Sequence, residues 1–369
     1  MPAPPPMRQE QGWIGARGRE FPSGGGDAGM MLSRSHLRRR LVRQGLAAAA
    51  VLLLSPRPSP AQPAITAADW PTRSMRLIIP FPPGGATDLL ARVLADRLGT
   101  RLGQTVVAEN RGGAAGVIAA EAASRADPDG YTLFFGSIGT ASINAHLHSK
   151  LSYRPEDLLP VALFADLPNV LVVRRDSPFR SVADVVAAAR AKPGELTYAS
   201  SGSGSSLHLS GEMLKADAGV DILHVPFRGG ADTANQIMGG RIDLGMNNVP
   251  SVIALIRGGQ LRALAVTSPE RSEALPEVPT IAESGVPGLA GYAATAWFGL
   301  QVPRGTPAPI IDRLNREVNA ICAEPQTIER VTSVGARMRG GSPADFARFI
   351  AQENDRWAAV IRRSGAQVD

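Results

Sequence analysis

Two short stretches of small residues place backbone donors and hydroxyl groups where a helix is predicted to begin. Residues 77–88 read Leu-Ile-Ile-Pro-Phe-Pro-Pro-Gly-Gly-Ala-Thr-Asp, and residues 198–208 read Tyr-Ala-Ser-Ser-Gly-Ser-Gly-Ser-Ser-Leu-His. In both, an apolar run typical of a buried strand precedes the loop, and helically spaced apolar residues follow it. The unpaired N–H groups and partial positive charge at a helix start favour a bound anion. The alternatives are a connection without a ligand for the first stretch and a flexible Ser/Gly linker for the second.

The two stretches offer an anion different groups. Gly84 and Gly85 lack a Cβ, so a ligand can approach the backbone closely there, and Thr87 or Asp88 can cap the first helical turn. The second stretch adds serine hydroxyls, and neither stretch contains a lysine or an arginine. The predicted chemistry is therefore capture of an anion by N–H and hydroxyl groups.

Further loops at the ends of predicted strands point to the same region. They span residues 110–116, 136–140, 226–230 and 247–248. Their candidate ligand residues are Ser137, Thr140, Phe227 and Asn248. Ligands of open α/β sheets bind at the carboxyl ends of the strands, so the loops predict two facing sets of binding loops with a cleft between them.

The sequence lacks complete versions of the common catalytic motifs. None of the three lysines follows a glycine, which excludes a P-loop, and residues 202–207 lack the third glycine of a dinucleotide fingerprint. His146 and His148 have no acid or cysteine nearby to complete a metal site. His208 could serve Ser205 or Ser206 as a base, but no acid partner is identifiable. We expect no enzyme, no cofactor and no metal, and keep an exported serine hydrolase as a remote alternative.

The net positive charge of this chain comes from its first 61 residues, here called the leader. Residues 1–61 carry nine arginines and three acidic residues, which accounts for the whole formal net charge of +6. The remainder balances basic and acidic side chains, so it offers no basic surface for nucleic acid. With 369 residues, 44% hydrophobic and 20% charged, the chain has the composition of a soluble globular protein and room for two domains.

The leader has the three parts of a secretory signal peptide. Arginines at 34–43 precede nine apolar residues at 46–54, followed by Ser-Pro-Arg-Pro-Ser-Pro-Ala at 55–61. Cleavage is expected at Ala61 or Ala64, and the run 38–43 resembles a twin-arginine signal. Residues 1–29 resemble neither signal nor fold, so Met30 or Met31 is an alternative start. No cysteine at the cleavage site means no lipid anchor, which predicts a protein free in the periplasm.

From residue 70 strands and helices alternate, which predicts parallel sheets with helices on both faces. Strands are predicted at 76–79, 105–108, 131–135, 161–164, 170–173, 197–199, 222–225, 243–246, 263–266 and 297–301. Helices are predicted at 88–98, 115–125, 182–191, 206–217, 231–239, 249–257, 308–322, 325–334 and 343–364. Ten strands favour two lobes over one sheet. Lobe 1 is predicted to hold residues 62–172 and 268–369, and lobe 2 residues 173–267, with two crossover segments and a central cleft.

Several longer motifs occur in a fixed order along these elements. They are Trp-Pro at 70–71, Ile-Pro-Phe-Pro-Pro-Gly-Gly-Ala-Thr-Asp at 79–88, Glu-Asn-Arg-Gly-Gly-Ala at 109–114, Asp-Gly-Tyr-Thr-Leu at 129–133, Leu-Val-Val at 171–173, Tyr-Ala-Ser-Ser-Gly-Ser-Gly at 198–204, His-Val-Pro-Phe-Arg-Gly at 224–229, Leu-Ala-Val-Thr-Ser at 264–268 and Leu-Pro-Glu-Val-Pro-Thr-Ile-Ala-Glu-Ser-Gly at 275–285. With these motifs, the chain from about Trp70 onward resembles the Bug-type solute-binding receptors of tripartite tricarboxylate transporters.

The resemblance implies an α/β fold of the type II periplasmic-binding-protein kind, whose lobes close on a small organic carboxylate for delivery to membrane permease subunits. It implies carboxylate contacts through N–H groups, hydroxyls and waters at Phe81, Gly85, Ala86, Asp88, Ser201, Gly202, Gly204, Ser205 and Ser206. Phe227 and Arg228 stand where the family usually has Tyr and Lys. The protein is expected to act as a monomer. A ligand-loaded sensor that docks on a membrane signalling partner is the alternative function.

Overall fold

The structure, a computed structural model, describes residues 70–367. Its strands are Met75–Ile79 (β1), Val106–Asn110 (β2), Thr132–Ser137 (β3), Leu158–Arg174 (β4), Thr197–Ser200 (β5), Leu223–Pro226 (β6), Leu244–Asn248 (β7), Leu261–Val266 (β8), Thr295–Pro303 (β9) and Arg337–Met338 (β10). The predicted signal peptide, its cleavage sites and the alternative starts lie outside the described residues.

Except for the short helix at 144–147, which was not predicted, the helices of residues 70–367 fall close to their predicted positions. They are Ala86–Leu102 (α1), Val117–Ser124 (α2), Asn144–Leu147 (α3), Val182–Ala191 (α4), Ser206–Ala218 (α5), Gly230–Met238 (α6), Val249–Arg257 (α7), Ala308–Cys322 (α8), Pro325–Ser333 (α9) and Pro343–Ser364 (α10). Ser181 and Ser342 each begin a helix with a reciprocal capping box, which satisfies two orphan backbone donors at once. Within residues 70–367 no helix has the length and apolar content that crossing a bilayer requires.

Strand β4 corrects the prediction of two separate strands at 161–164 and 170–173. It is one strand of 17 residues. Its first part, up to Pro168, pairs with β9, and its last part, from Asn169, pairs with β7 and β8. The polar break around residues 166–169 suggested a boundary, but the antiparallel neighbours continue the hydrogen bonding across it. The two-residue strand β10, which pairs with β4, was not predicted.

The sheet is mixed, with the strand order β2-β1-β3-β9-β4-β7-β5-β6, and β8 and β10 also pair with β4. Parallel pairing, as predicted, joins β1 to β2 and β3 and β5 to β6 and β7. The prediction is wrong at the centre, where β9 runs antiparallel to β3 and to β4. We call β1, β2, β3, β9, β10 and residues 158–168 of β4 the first half-sheet, and β5 to β8 with residues 169–174 of β4 the second.

The two connections between the half-sheets lie side by side. Thr267, just after β8, donates its N–H to the Asn169 carbonyl at 2.9 Å, and its hydroxyl accepts from the Asn169 N–H at 2.8 Å. The Thr267 hydroxyl in turn donates to the carbonyl of Ala294, just before β9. Both passages of the chain are thus joined at one residue.

Each half-sheet has its own buried apolar cluster. One cluster brings Leu77, Phe135 and Leu300 of the first half-sheet together with Leu94 of α1 and Leu314 of α8. Another places the second half-sheet against α4, α5 and α10. These two layers of packing fix the loops at the strand ends, where the candidate site lies.

Candidate functional site

A cavity of about 400 Å³ opens between the strand-end loops of both half-sheets. Of the predicted site residues, these line it: Phe81, Gly85, Ala86, Ser137, Ser201, Ser205, Ser206 and Asn248. These predicted residues lie outside the lining: Gly84, Asp88, Thr140, Gly202, Gly204 and Phe227. The lining also includes these residues, which were not named as ligand residues although those up to Gly230 lie in the predicted binding loops: Pro82, Pro83, Thr87, Ile138, Gly139, Arg228, Gly229, Gly230, Ala231, Asp232, Asn235, Ser251 and Phe298.

The β1–α1 loop brings a helix N-terminus to the cavity. Helix α1 begins at Ala86 with Gly85 as its N-cap, and no side chain caps it. The prediction that Thr87 or Asp88 caps the helix is therefore wrong, because the helix starts earlier than its apolar spacing suggested. The Ala86 N–H donates to the hydroxyl of Ser251, from α7, at 2.8 Å. This bond connects the first half-sheet's loop to a helix of the second.

Asp88 holds this loop in shape from behind. Its buried carboxylate accepts from the Gly84 N–H at 3.0 Å, from Arg92 Nε at 2.9 Å and from Asn110 Nδ2 at 2.9 Å. The Asn110 amide also donates to the Phe81 carbonyl at 2.9 Å. Burial raises the pKa of Asp88, but the three hydrogen bonds outweigh it and hold that pKa below its usual value. The carboxylate is thus committed to protein donors.

The β5–α5 loop brings the second helix N-terminus. Ser205 is the N-cap of α5, and its hydroxyl accepts from the His208 N–H at 3.2 Å and donates to the Gly202 carbonyl at 2.7 Å. The Gly204 N–H donates to His208 Nδ1 at 3.2 Å. The hydroxyls of Ser201 and Ser206 line the cavity, and the described residues offer them no hydrogen bond. Two serine hydroxyls are therefore available to a ligand.

A pair of stacked imidazoles supports this loop. The rings of His208 and His224 lie 4.2 Å apart between centroids, and His224 Nε2 pairs with the Ser200 hydroxyl at 2.7 Å. Burial lowers the pKa of His208 to about 4 and that of His224 to about 3. Both rings are neutral at pH 7. Since the Gly204 N–H already occupies His208 Nδ1 and the Ser205 proton goes to a carbonyl, the geometry gives no support to a serine hydrolase.

The other residues at and near the cavity wall include a supporting threonine, an exposed arginine and an aspartate. Thr140 lies behind the cavity wall and holds Ser137, since it accepts from the Ser137 N–H and donates to the Ser137 carbonyl, both at 3.0 Å. Arg228 is exposed and has no hydrogen bond or ion pair with the described residues. Asp232 accepts from Gln236 at 3.2 Å. Among residues 70–367 no three His, Cys, Asp or Glu side chains come close enough to hold a metal ion.

Comparison with known proteins decides the family. The model of the tripartite tricarboxylate transporter family receptor matches residues 90–366. The chain belongs to this family. It is 38% identical over 306 residues to protein BugT of Bordetella pertussis, a match that covers 82% of this chain and 93% of BugT. The resemblance to Bug-type receptors is thereby confirmed, and members of the family are periplasmic receptors.

Solved structures agree on the fold of this receptor. An R. palustris protein solved with adipate is 40% identical, with a TM-score of 0.79, and the match covers 81% of this chain and all of the other. MatC from Rhodopseudomonas palustris, solved with bound malate, is 32% identical, with a TM-score of 0.75 and a cover of 79% and 100%. The periplasmic-binding-protein fold is confirmed. The family and these neighbours are binding receptors rather than enzymes, which confirms the expectation of no enzyme.

Proposed function

We propose that this receptor captures a small organic carboxylate between two lobes in the periplasm and delivers it to the membrane subunits of a tripartite tricarboxylate transporter. The observation that carries the proposal is that two helix N-termini, those of α1 and α5, open onto one cavity. In the part of the chain that the structure describes, no hydrogen bond uses the Thr87 or Ser206 N–H. Such groups are suited to the oxygens of a carboxylate.

The energies suit a reversible receptor. A carboxylate at a helix start gains about 0.3 to 2 kcal/mol from the helix dipole. Each hydrogen bond to the charged group contributes about 1.5 to 3 kcal/mol. We call the helix start of α1 with the β1–α1 loop, and that of α5 with the β5–α5 loop, the two cradles. Together they suffice for micromolar affinity, which corresponds to a binding free energy of about −8 kcal/mol. The carboxylate ligands of two solved neighbours, adipate and malate, support the same ligand class.

The division into lobes is part of the proposal. Residues 62–172 with 268–369 would form one lobe and 173–267 the other, and they would close by a hinge motion. The change of pairing partners within β4 after Pro168 and the junction at Thr267 support a hinge at the two connections. The protein would work as a monomer, exported by its signal peptide and not anchored to lipid.

A thermal-shift screen of residues 62–369 against mono-, di- and tricarboxylates tests the ligand class. A ligand at a hundredfold excess over its Kd stabilises the folded protein by about 2.7 kcal/mol, a visible rise in Tm. The rise should shrink in Ser206→Ala, whose hydroxyl lines the cavity, and persist in Ser203→Ala, which lies in the same loop outside the lining. A folded protein that responds to no carboxylate would overturn the proposal.

Export and transport are tested in cells. The full chain, expressed in a Gram-negative host, should be released with the periplasmic fraction and begin at Gln62 or Ile65, the residues that follow the two predicted cleavage sites. In the native organism, deletion of the receptor should abolish uptake of the carboxylate found in the screen. Uptake that survives the deletion would remove the transport role and favour a sensor.

A further inference from the structure

A chain of buried hydrogen bonds runs from the interior to one wall of the cavity. The Ser210 hydroxyl of α5 donates to the Ser206 carbonyl one turn earlier, at 2.7 Å. Asn169 Nδ2 donates to the oxygen of that hydroxyl at 2.8 Å. Asn248 Nδ2 donates to Asn169 Oδ1 at 2.7 Å. Ser210 and Asn169 are fully buried, whereas Asn248 is half-buried and lines the cavity.

The protons of this chain fix the direction of both amides. The hydroxyl of Ser210 has one proton, and the Ser206 carbonyl takes it, so the Ser210 oxygen can only accept from Asn169. The NH₂ group of Asn169 must therefore face Ser210, and its carbonyl oxygen must face Asn248. Rotating either amide by half a turn would bring two acceptors or two donors face to face, with a buried group left unsatisfied.

Because its NH₂ group is committed to Asn169, Asn248 keeps its Oδ1 for the cavity. The described residues give this oxygen no partner. The carboxylate of Asp232, in the first turn of α6, lines the same cavity and is also an acceptor. The helix starts of α1 and α5 thus offer donors to the cavity and Arg228 adds a cation to its lining, whereas Asn248 Oδ1 and the Asp232 carboxylate are acceptors.

We infer that the ligand is a carboxylate that also carries a hydrogen-bond donor, a hydroxyl or an ammonium group, which Asn248 Oδ1 receives. The inference rests on the proposed carboxylate site and narrows its substrate class. A plain alkanoate or alkanedioate leaves the Asn248 oxygen either without a donor or against another acceptor. A site with a committed polar group discriminates against the analogue that lacks the matching partner.

Matched ligand pairs, identical except for the donor, test the inference by calorimetry on the mature chain. The pairs with a hydroxyl are butyrate with 3-hydroxybutyrate, succinate with malate, and glutarate with 2-hydroxyglutarate. Aspartate and glutamate are the counterparts of succinate and glutarate that carry an ammonium group. In at least one pair the substituted member should bind about three- to tenfold tighter, the range that one hydrogen bond provides. The comparison of malate with aspartate then tells whether the donor is a hydroxyl or an ammonium group.

Three variants test whether the Asn248 oxygen causes the preference for the substituted member of a pair. Asn248→Ala should bring the ratio of the two Kd values in that pair close to one. Ser210→Ala, outside the lining, should also lower the ratio, because Asn169 is then free to rotate. Thr100→Ala, whose exposed hydroxyl bonds to Asp96 on α1, should keep the ratio of the natural chain.

Each outcome decides between the two proposals. Equal or weaker binding of the substituted member in every pair overturns the inference, and so does a preference that Asn248→Ala keeps. Both results leave the carboxylate receptor standing, because the acids still bind. If the folded protein binds no member of any pair and responds to no carboxylate in the thermal-shift screen, the proposed function itself fails, and the inference fails with it.

Discussion

The two cradles that face the cavity are held in place by opposite means. Behind the β1–α1 loop, the Asp88 carboxylate gathers an arginine, an amide and a backbone N–H. Behind the β5–α5 loop, a serine cap and a neutral histidine ring do the same work without any charge. The Arg92 side chain is 49% exposed, whereas His208 is buried.

This difference teaches that the same backbone geometry can fail under different conditions. The hydrogen bond that a buried neutral imidazole accepts is insensitive to salt but is broken when acid protonates the ring. An ionised carboxylate with three donors keeps its hydrogen bonds in mild acid. The two cradles should therefore respond differently when a glycine is substituted, when the pH falls, when a charge is removed or when the bond from Ala86 to Ser251 is removed.

Substitution of the glycine next to each helix start should distinguish the two cradles most. Gly204 has a φ of +94°, and a Cβ there would lie 2.7 Å from Asn144 Oδ1. Gly204→Ala should lower the free energy of unfolding by about 3 kcal/mol, the sum of left-handed strain and a buried clash. Gly85 has a φ of −89°, and the atoms nearest to a Cβ there would be Gly230 N at 3.9 Å and Ser251 Oγ at 4.0 Å, both in ordinary contact. The free energy of unfolding of Gly85→Ala, measured with urea, should thus stay within about 0.5 kcal/mol of that of the natural chain. Equal losses would show that the two positions do not differ in their tolerance of a side chain.

The second largest difference should come from acid, which should weaken the β5–α5 loop at a higher pH than the β1–α1 loop. His208 binds a proton in the folded protein only near pH 4, against an ordinary value of 6.5. Its contribution to stability is therefore complete above pH 6.5 and is lost as the pH falls from 6.5 toward 4. His208→Asn keeps an acceptor at the position of Nδ1 for the Gly204 N–H but cannot titrate. It should remove about 2 kcal/mol of the fall in unfolding free energy between pH 7 and pH 5.

His146→Gln provides the control for the change of side chain. That ring is exposed and pairs with Asn354, so the substitution should leave the free energy of unfolding at pH 7 nearly unchanged. Asp88 titrates only in stronger acid, because its hydrogen bonds hold its pKa below the ordinary value of 3.8 in the folded protein. The stability it contributes is present above that value and is lost only in stronger acid. A chain whose stability is flat from pH 7 to 5 would contradict the neutral burial of the two histidines.

Charge at the β1–α1 loop should have a smaller effect. Asp88→Asn turns one acceptor oxygen into a donor that faces a donor, so it should cost about 1 to 2 kcal/mol of unfolding free energy. Arg92→Ala removes only a half-exposed partner of the same carboxylate, and its cost should stay below about 1 kcal/mol. Denaturant titrations of both variants at low and high salt check this order. An Arg92→Ala loss as large as that of Asp88→Asn would mean that the ion pair, not the backbone contact, holds the loop.

The elements of this fold could be predicted where local signals are strong. The capping boxes at Ser181 and Ser342 and the apolar spacing that follows them give the bounds of α4 and α10. Strand β4 could not be predicted as one element, because Pro168 and Asn169 interrupt its apolar run and only the pairing with β7, β8 and β9 continues it. Antiparallel pairing at the centre depends on contacts between distant segments, which no local pattern encodes.

The site could be predicted where a loop supplies it and not where packing does. Glycine and serine at strand ends indicated Gly85, Ser201 and Ser206 as lining residues. By contrast, Ser251 lies in the first turn of α7 and Phe298 within β9, and the cavity gains them only because the half-sheets meet. A serine on a helix carries no signal of its partner 165 residues earlier.

Ser251 offers the finest test of the comparison, because its bond joins one cradle to the other half of the molecule. Its hydroxyl accepts the Ala86 N–H, and under the proposed hinge this bond forms only when the lobes close. Ser251→Ala should therefore weaken every carboxylate about two- to tenfold in calorimetry, the worth of one hydrogen bond, with the same factor for each ligand. Ser333→Ala, an exposed hydroxyl on α9, should change nothing. Tighter binding to Ser251→Ala would instead mean that the serine and the ligand compete for the same N–H, so that the β1–α1 cradle opens fully only after Ser251 has left it.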